Sequence, residues 1–241
     1  RKSLLRVNVF FDKRLTRYAD GIIVISTTLL NKYLALKFNQ KFIQIVPISA
    51  ENLDLNLVKI KNDIFTFVYS GSYGKKDGVK LLIEAFNEVD VKHENIQLIL
   101  SGKINKAMEI LIKSSRNIHY VGLVPDVEFY QFLVNADILL MTRINSKYAN
   151  AGFPFKLGEY LASGNPVIAT DVSDIGYYLE NMEEVIMIEP SNKNSLVKAM
   201  NFVLENETDF IGLNGKRKCN VCFNPSTNGE LLENFIKKTY K

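Results

Sequence analysis

The sequence of 241 residues contains no tryptophan, only two cysteines and only two histidines. Two cysteines cannot supply a disulfide framework for a chain of this size, so Cys219 and Cys222 predict reduced thiols in a reducing compartment. Their C-x-x-C spacing is half of a zinc site, but His93 and His119 lie far away in sequence, which disfavours a four-ligand metal centre. With 13 glycines and 6 prolines, collagen-like and low-complexity chains are excluded as well.

Long apolar runs and a strong charge of one sign are also missing. No segment approaches the ~18 apolar residues of a spanning helix, and residues 1–18 lack the apolar centre of a signal peptide, so we expect a cytoplasmic protein. The net charge is +4. Residues 1–18 hold six basic residues and one acidic residue, whereas the other 223 hold 24 basic and 25 acidic residues. The nearly neutral body disfavours nucleic-acid binding.

The basic start of the chain leaves two interpretations open. Residues 1–18 could form a helix that docks on the anionic inner face of a membrane as a peripheral contact. Alternatively, the apolar side of that helix packs against a neighbouring domain. The first residue is Arg1, which predicts a processed chain or a segment of a longer one.

Short apolar runs rich in isoleucine and valine alternate with segments of helical period along the whole sequence. Such runs are typical of parallel strands that are covered by helices on both faces. We therefore predict an α/β fold with a doubly wound, Rossmann-like parallel sheet. The predicted strands are residues 21–26, 42–47, 65–70, 96–101, 118–122, 137–141, 166–170 and 184–189.

One irregular stretch, residues 48–62, interrupts this alternation and is interpreted as an interdomain linker. Residues 63–222 after it have the size and pattern of one complete domain. Residues 1–47 before it are too few for an independent core and predict the last piece of a second α/β domain. Residues 223–241 are predicted to form a C-terminal helix.

A glycine-rich loop, Gly71-Ser72-Tyr73-Gly74-Lys75-Lys76-Asp77-Gly78, joins a predicted strand to a helix that starts near Val79. Glycines permit close backbone approach, the helix start offers unpaired N–H groups, and the lysines add charge, so an anion could bind here. The alternative is an ordinary turn with solvated lysines. The spacing matches neither G-x-G-x-x-G nor a Walker loop, which disfavours dehydrogenases and P-loop ATPases.

A second cluster lies at residues 151–160, where Gly152 and Pro154 indicate a loop. Residues 156–162 are predicted to form a short helix that Gly164 closes. Glu159 then stands on this helix, where its carboxylate could accept hydrogen bonds from vicinal hydroxyls, as acidic residues do for ribose in nucleotide folds. The alternative is a surface glutamate without a ligand.

Four segments in the right order carry a resemblance to a known family. The segment FPFKLGEYLASGNPVIATDVSDI resembles the donor-site signature of the retaining family-4 glycosyltransferases of GT-B fold. Upstream, NIHYVGLVPDVEFYQFLVNADILLM and FVYSGSYGKKDGVKLLIEAF resemble that family's turn and phosphate-loop segments, and RYADGIIVIS resembles the end of its N-terminal domain. Together they cover about residues 17–205 and identify the chain as similar to the C-terminal, donor-binding half.

The resemblance implies an activity. Members transfer a sugar, retaining the anomeric configuration, from a nucleotide-diphosphate donor to an acceptor hydroxyl, without a metal and with no cofactor beside the donor substrate. It implies a role in cell-surface polysaccharide or glycoconjugate biosynthesis. It also implies that the acceptor binds mainly to the missing N-terminal domain, so residues 1–241 alone are expected to transfer little sugar. No side chain is nominated as a covalent nucleophile or other catalytic group.

The resemblance also implies donor-binding residues. Glu159 matches the residue that holds the donor ribose, Gly71 and Ser72 match the loop under the diphosphate, and Val124 lies in the turn beside the base. Subgroups with a P-x-K-x-x-E loop resemble FPFKLGEY, which includes Lys156. The predicted donor-binding set is Gly71, Ser72, Lys75, Lys76, Val124, Phe153, Pro154, Phe155, Lys156 and Glu159.

Three positions depart from the family pattern. Ser72 stands where many relatives have arginine, and Asp77 occupies the usual lysine position, so either Lys75 or Lys76 could reach the phosphate. Ala151 stands where many relatives have a second glutamate. A degenerate nucleotide-sugar-binding domain without transferase activity therefore stays open as an alternative. A nucleotide-sugar epimerase is disfavoured because the loop lacks acid–base carboxylates.

Overall fold

The computed structural model describes residues 14, 16–50, 57–60 and 62–240. Most of the basic start of the chain, including the helix predicted there, lies outside the described residues, as do residues 51–56 and 61 of the predicted linker. None of the described helices combines the length and the apolar character that crossing a bilayer requires.

All eight predicted strands form, and three of them have the predicted limits. Short runs of β-branched residues pack well on both faces of a covered sheet, which explains the agreement. The strands are β1 Ile22–Val24, β2 Ile43–Ile45, β3 Phe65–Ser70, β4 Ile96–Ser101, β5 Ile118–Gly122, β6 Ile138–Met141, β7 Val167–Thr170 and β8 Ile186–Ile188.

Helices connect the strands and cover both faces of the large sheet. The helices are α1 Thr27–Ala35, α2 Val79–Asp90, α3 Lys106–Lys113, α4 Asp126–Val134, α5 Lys147–Ala151, α6 Phe155–Ser163, α7 Ile175–Tyr178, α8 Lys193–Glu205, α9 Asp209–Cys222 and α10 Pro225–Thr239. Single 3₁₀ turns lie at Thr16–Tyr18, Gln40–Phe42 and Lys75–Asp77. The helix predicted over residues 156–162 is α6, and Gly164 caps it with a φ of +85° as expected.

The large sheet has six parallel strands in the order β5-β4-β3-β6-β7-β8 among the described residues. The chain runs outward from β3 to β5 and then returns to place β6 on the other side of β3. The predicted doubly wound α/β fold is thereby confirmed. In such sheets ligands bind beyond the carboxyl ends of the strands, where the order reverses. That point lies between the ends of β3 and β6, at Ser70 and Met141.

The N-terminal segment, residues 16–50, forms a separate pair of parallel strands, β1 and β2. It contacts the part of the chain that carries the large sheet through polar groups. Asp174, which is 5% exposed, accepts hydrogen bonds from the backbone N–H and the hydroxyl of Thr27 at 2.7 and 2.5 Å. The amide of Asn228 on α10 donates to the Ile48 carbonyl at 2.9 Å. These bonds tie the start of α1 and the segment after β2 to the domain that carries the large sheet.

Candidate functional site

The glycine loop begins directly after β3, at the switch point of the sheet. Gly71 has a φ of +145°, and its N–H donates to the Ser101 carbonyl at the end of β4. A Cβ atom on Gly71 would overlap the ammonium group of Lys156, which comes from α6. Glycine at position 71 therefore lets a cation from a distant helix approach the loop backbone.

Lys156 lies in the first turn of α6 and is half-buried. Its Nζ donates to the Tyr69 hydroxyl at 2.9 Å and lies 4.1 Å from the centre of that ring. The pKa of Lys156 is lowered to about 8, mainly by burial. Asp77 opposes this shift, and the neighbouring cations Arg143 and Lys76 add to it. A bound anion would favour the charged form.

Arg143 is a site residue that the sequence interpretation missed. It follows β6 by two positions, and burial lowers the pKa of its guanidinium below the ordinary value. Its Nε is buried without a hydrogen-bond partner in the part of the chain that the structure describes. The predicted strand 137–141 and the predicted parallel sheet put residues 142–143 at the carboxyl edge of the sheet, which was a partial signal. Only the strand order places them at the switch point, beside β3.

The tip of the glycine loop carries a carboxylate in place of a cation. Asp77 is 2% exposed, and its Oδ2 accepts hydrogen bonds from the Ser72 hydroxyl at 2.7 Å and the Gly74 N–H at 3.1 Å. Lys75 is exposed, whereas the Lys76 ammonium lies 5.2 Å from the centre of the Tyr148 ring. Asp77 thus stabilises the turn through hydrogen bonds that lysine, which has no acceptor, could not make.

The predicted residues just before α6 occupy different environments. Phe153 is 3% exposed and packs against Tyr178 and Phe223, with ring centres 5.6 and 5.4 Å away. Pro154 is buried as the N-cap of α6, and Phe155 is 63% exposed. The side chain of Phe153 therefore belongs to the core, which leaves its backbone as the part able to face a ligand.

A cleft of about 430 Å³ lies at the carboxyl ends of β3, β4 and β5. Glu159 lies on one side of it, and burial raises the pKa of its carboxyl while nearby Lys156 lowers it. The structure brings together four of the predicted residues here, and Lys75, Lys76, Phe153, Pro154, Phe155 and Lys156 do not line this cleft. The lining residues are Ser70, Gly71, Ser72, Ser101, Gly102, Lys103, Leu123, Val124, Asp126, Phe129 and Glu159.

Ala151 is the position at which the resemblance leads one to expect a glutamate. Its carbonyl oxygen accepts a hydrogen bond from the hydroxyl of Ser26 at 2.7 Å, and Ser26 is fully buried. The residue is the last of α5 and is half-buried. The N-terminal segment therefore contacts the backbone of this position directly.

Comparison with known protein families identifies the chain. Residues 64–206, more than half of the sequence, match the family described as glycosyl transferases group 1. The chain belongs to this family. An uncharacterized glycosyltransferase of Methanocaldococcus jannaschii is 26% identical over 211 residues, which make up 86% of this chain and 56% of that protein. The chain thus spans about half the length of this curated relative.

Solved structures share the fold of this chain. Sucrose-phosphate synthase from Thermosynechococcus elongatus is similar with a TM-score of 0.81 and 18% identity, over 98% of this chain and 62% of that one. HepE of Anabaena, solved with UDP and glucose, has a TM-score of 0.79 and 16% identity, over 98% of this chain and 67% of that one. These likenesses confirm the Rossmann-like fold of a GT-B glycosyltransferase.

Proposed function

We propose that this chain is the donor-binding half of a retaining glycosyltransferase and binds a nucleotide-diphosphate sugar in the cleft. The observation that carries the proposal is the placement of two half-buried cations beside the glycine loop after β3. The ammonium of Lys156 lies against Gly71, and Arg143 lies between two residues that are hydrogen-bonded to the loop. Two like charges held together in a partly dry site favour an anion between them. A diphosphate has the matching charge.

The cleft supports one orientation of the donor. The diphosphate would lie at the edge of the cleft, at the backbone of Gly71, where Lys156 approaches from outside the cleft. Glu159 would accept hydrogen bonds from the ribose hydroxyls. Val124, in the turn after β5, would contact the base. Because HepE was solved with UDP and glucose, and HepE shares this fold, uridine is the first base to test.

The proposed reaction breaks the bond between the anomeric carbon and the diphosphate oxygen while the acceptor hydroxyl oxygen bonds to that carbon from the same face. The acceptor proton passes to a departing phosphate oxygen, and the cations stabilise the charge that develops on the diphosphate. Fixed protein cations would do this without a metal. We place the reaction in cell-surface polysaccharide or glycoconjugate synthesis, in the cytoplasm or at the inner face of the membrane.

The proposed function is tested by titration calorimetry of the chain with UDP, GDP and ADP. We expect one of them to bind, and Glu159→Ala to weaken that binding roughly five- to twentyfold, because a charged hydrogen-bond acceptor for ribose is lost. Glu205→Ala, at the exposed end of α8, is the matched control and should bind like the parent chain. Absence of binding by all three nucleotides would contradict the proposal.

UDP binding should also depend on pH through Lys156. Its pKa of about 8 means that the ammonium loses its proton as the pH rises from 7 to 9, and only the charged form attracts a diphosphate. The dissociation constant should therefore rise roughly tenfold between pH 7 and pH 9. Lys156→Arg should remove this dependence, because arginine stays charged throughout. A slope that persists in Lys156→Arg would assign the titration to another group.

A degenerate binding domain is the second candidate function. Asp77, which takes part in hydrogen bonds at the tip of the loop, favours it because a carboxylate repels phosphate. An N-terminal domain joined to residues 1–241 would separate the two candidates. Sugar transfer or donor hydrolysis by the extended protein supports the transferase, and UDP binding without either supports the binding domain. The isolated chain should bind donor and transfer little sugar.

A further inference from the structure

The segment after β6 is joined to the glycine loop by hydrogen bonds on both sides of Arg143. The Thr142 hydroxyl donates to the Asp77 carbonyl at 3.0 Å, and the Ile144 N–H donates to the Lys76 carbonyl at 2.9 Å. Thr142 is 3% exposed. The backbone of Arg143 is therefore held at a fixed place against the loop, so its side chain starts from a defined position.

The Arg143 side chain reaches a region that already holds another cation. Arg143 is near enough to lower the pKa of Lys156. Burial lowers the pKa of Arg143 itself, and the Asp77 carboxylate opposes that shift. Within the described residues, both the Nε of Arg143 and the Oδ1 of Asp77 are buried without a hydrogen-bond partner. A buried guanidinium N–H without an acceptor is destabilising, and a bound oxyanion would remove that cost by accepting its hydrogen bond.

The glycine loop does not supply the positive charge that a bound diphosphate would need. Ser72 is neutral and its hydroxyl donates to Asp77, while Lys75 is exposed and Lys76 lies over Tyr148. A diphosphate at the Gly71 backbone would therefore meet its cations from outside the loop. Lys156 on α6 is one of them, and the segment after β6 supplies the second.

We propose, resting on the proposed function, that Arg143 binds the diphosphate of the donor directly, with its Nε and one terminal nitrogen donating to phosphate oxygens opposite Lys156. Arginine suits this role because its planar fork of donors matches two oxygens at once. The positive charge for the diphosphate would thus come from the end of β6 and the start of α6, in place of the loop.

The test compares UDP with uridine, which lacks both phosphates, by titration calorimetry on residues 1–241. Arg143→Gln should weaken UDP binding roughly ten- to hundredfold, the loss of a charged hydrogen-bond pair, and change uridine binding less than about threefold. Arg143→Lys should lose less, about three- to tenfold, because it keeps the charge without the fork. Arg116→Gln is the matched control, since that side chain is 74% exposed and lies just before β5, at the end of that strand away from the cleft.

The outcomes separate this inference from the proposed function. If the parent chain binds UDP and Arg143→Gln binds it within twofold, the inference is wrong and the proposed function stands. Equal losses for UDP and uridine would show a structural role and would also overturn it. If the parent chain binds no nucleotide, the proposed function fails first. Thermal unfolding shows whether Arg143→Gln folds. If it does not, Arg143→Lys decides instead: a loss of UDP affinity that exceeds the loss of uridine affinity supports the inference, and equal affinity to the parent chain overturns it.

Discussion

Lys156→Met is expected to weaken UDP binding about a hundredfold or more and, at the same time, to leave the fold as stable or more stable. The substitution removes a cation beside Gly71 but keeps the unbranched stem that packs in the site. Titration calorimetry measures the first effect. A loss of this size corresponds to roughly 3 kcal/mol, typical of one charged partner of a phosphate in a partly dry site.

The stability part of this prediction follows from the pKa of Lys156. A native pKa of about 8, below the ordinary 10.5, means that the folded state disfavours the charged amine. At pH 7 the amine is charged in both states, so this cost is fully present and methionine removes it. Methionine also loses the hydrogen bond to Tyr69, which offsets part of this gain. The free energy of unfolding should therefore rise by about 1–2 kcal/mol.

Lys198→Met is the control for both measurements, because Lys198 is exposed on α8, away from the cleft. It should change neither UDP affinity nor the free energy of unfolding by more than a small amount. A Lys156→Met chain that still binds UDP like the parent would remove Lys156 from the donor site. A chain that loses both binding and stability would make Lys156 a structural residue.

Gly78→Ala is expected to have the largest effect on stability. Gly78 has a φ of +67°, and a Cβ atom there would overlap the backbone carbonyl oxygen of Thr142. A backbone atom cannot rotate away, so the two joined segments must separate or the turn must change. We expect a loss of about 3–5 kcal/mol in the free energy of unfolding, measured by denaturant titration.

The same substitution should abolish UDP binding, because the displaced segment carries Arg143. Gly229→Ala on α10 is the matched control, since a Cβ atom there meets nothing within 4 Å. In that helix the change should stabilise the fold by about 0.5–1 kcal/mol and leave UDP binding unchanged. A Gly78→Ala chain as stable as the parent would show that the loop adjusts without cost.

Local patterns were enough to predict much of the fold. The limits of β3, β4 and β5, the start of α2 at Val79 and the end of α6 at Gly164 agree with the prediction. These features depend on neighbours in sequence: apolar runs bounded by turn residues, and a glycine that accepts a positive φ.

The sequence indicated less about which cations lie at the proposed diphosphate site. The P-x-K-x-x-E resemblance pointed to Lys156. It could not show that the ammonium of Lys156 lies against Gly71 and donates a hydrogen bond to Tyr69, which is 87 positions earlier in the chain. Asp77 was noted only as a departure from a family pattern. Its hydrogen bonds to Ser72 and Gly74 give it a positive structural reason, namely the closure of the turn.

The amino-acid sequence determined that this chain is an α/β protein with a parallel sheet. Its short apolar runs and their alternation with helical periods are properties of local sequence, and the scarcity of cysteine had already excluded a disulfide framework. The tertiary structure alone decided which charges meet. It places β6 beside β3, and so brings Arg143 to the glycine loop after β3 through bonds to Lys76 and Asp77. Strand order and burial are set by packing across the whole domain, and the pKa of Lys156 follows from that burial.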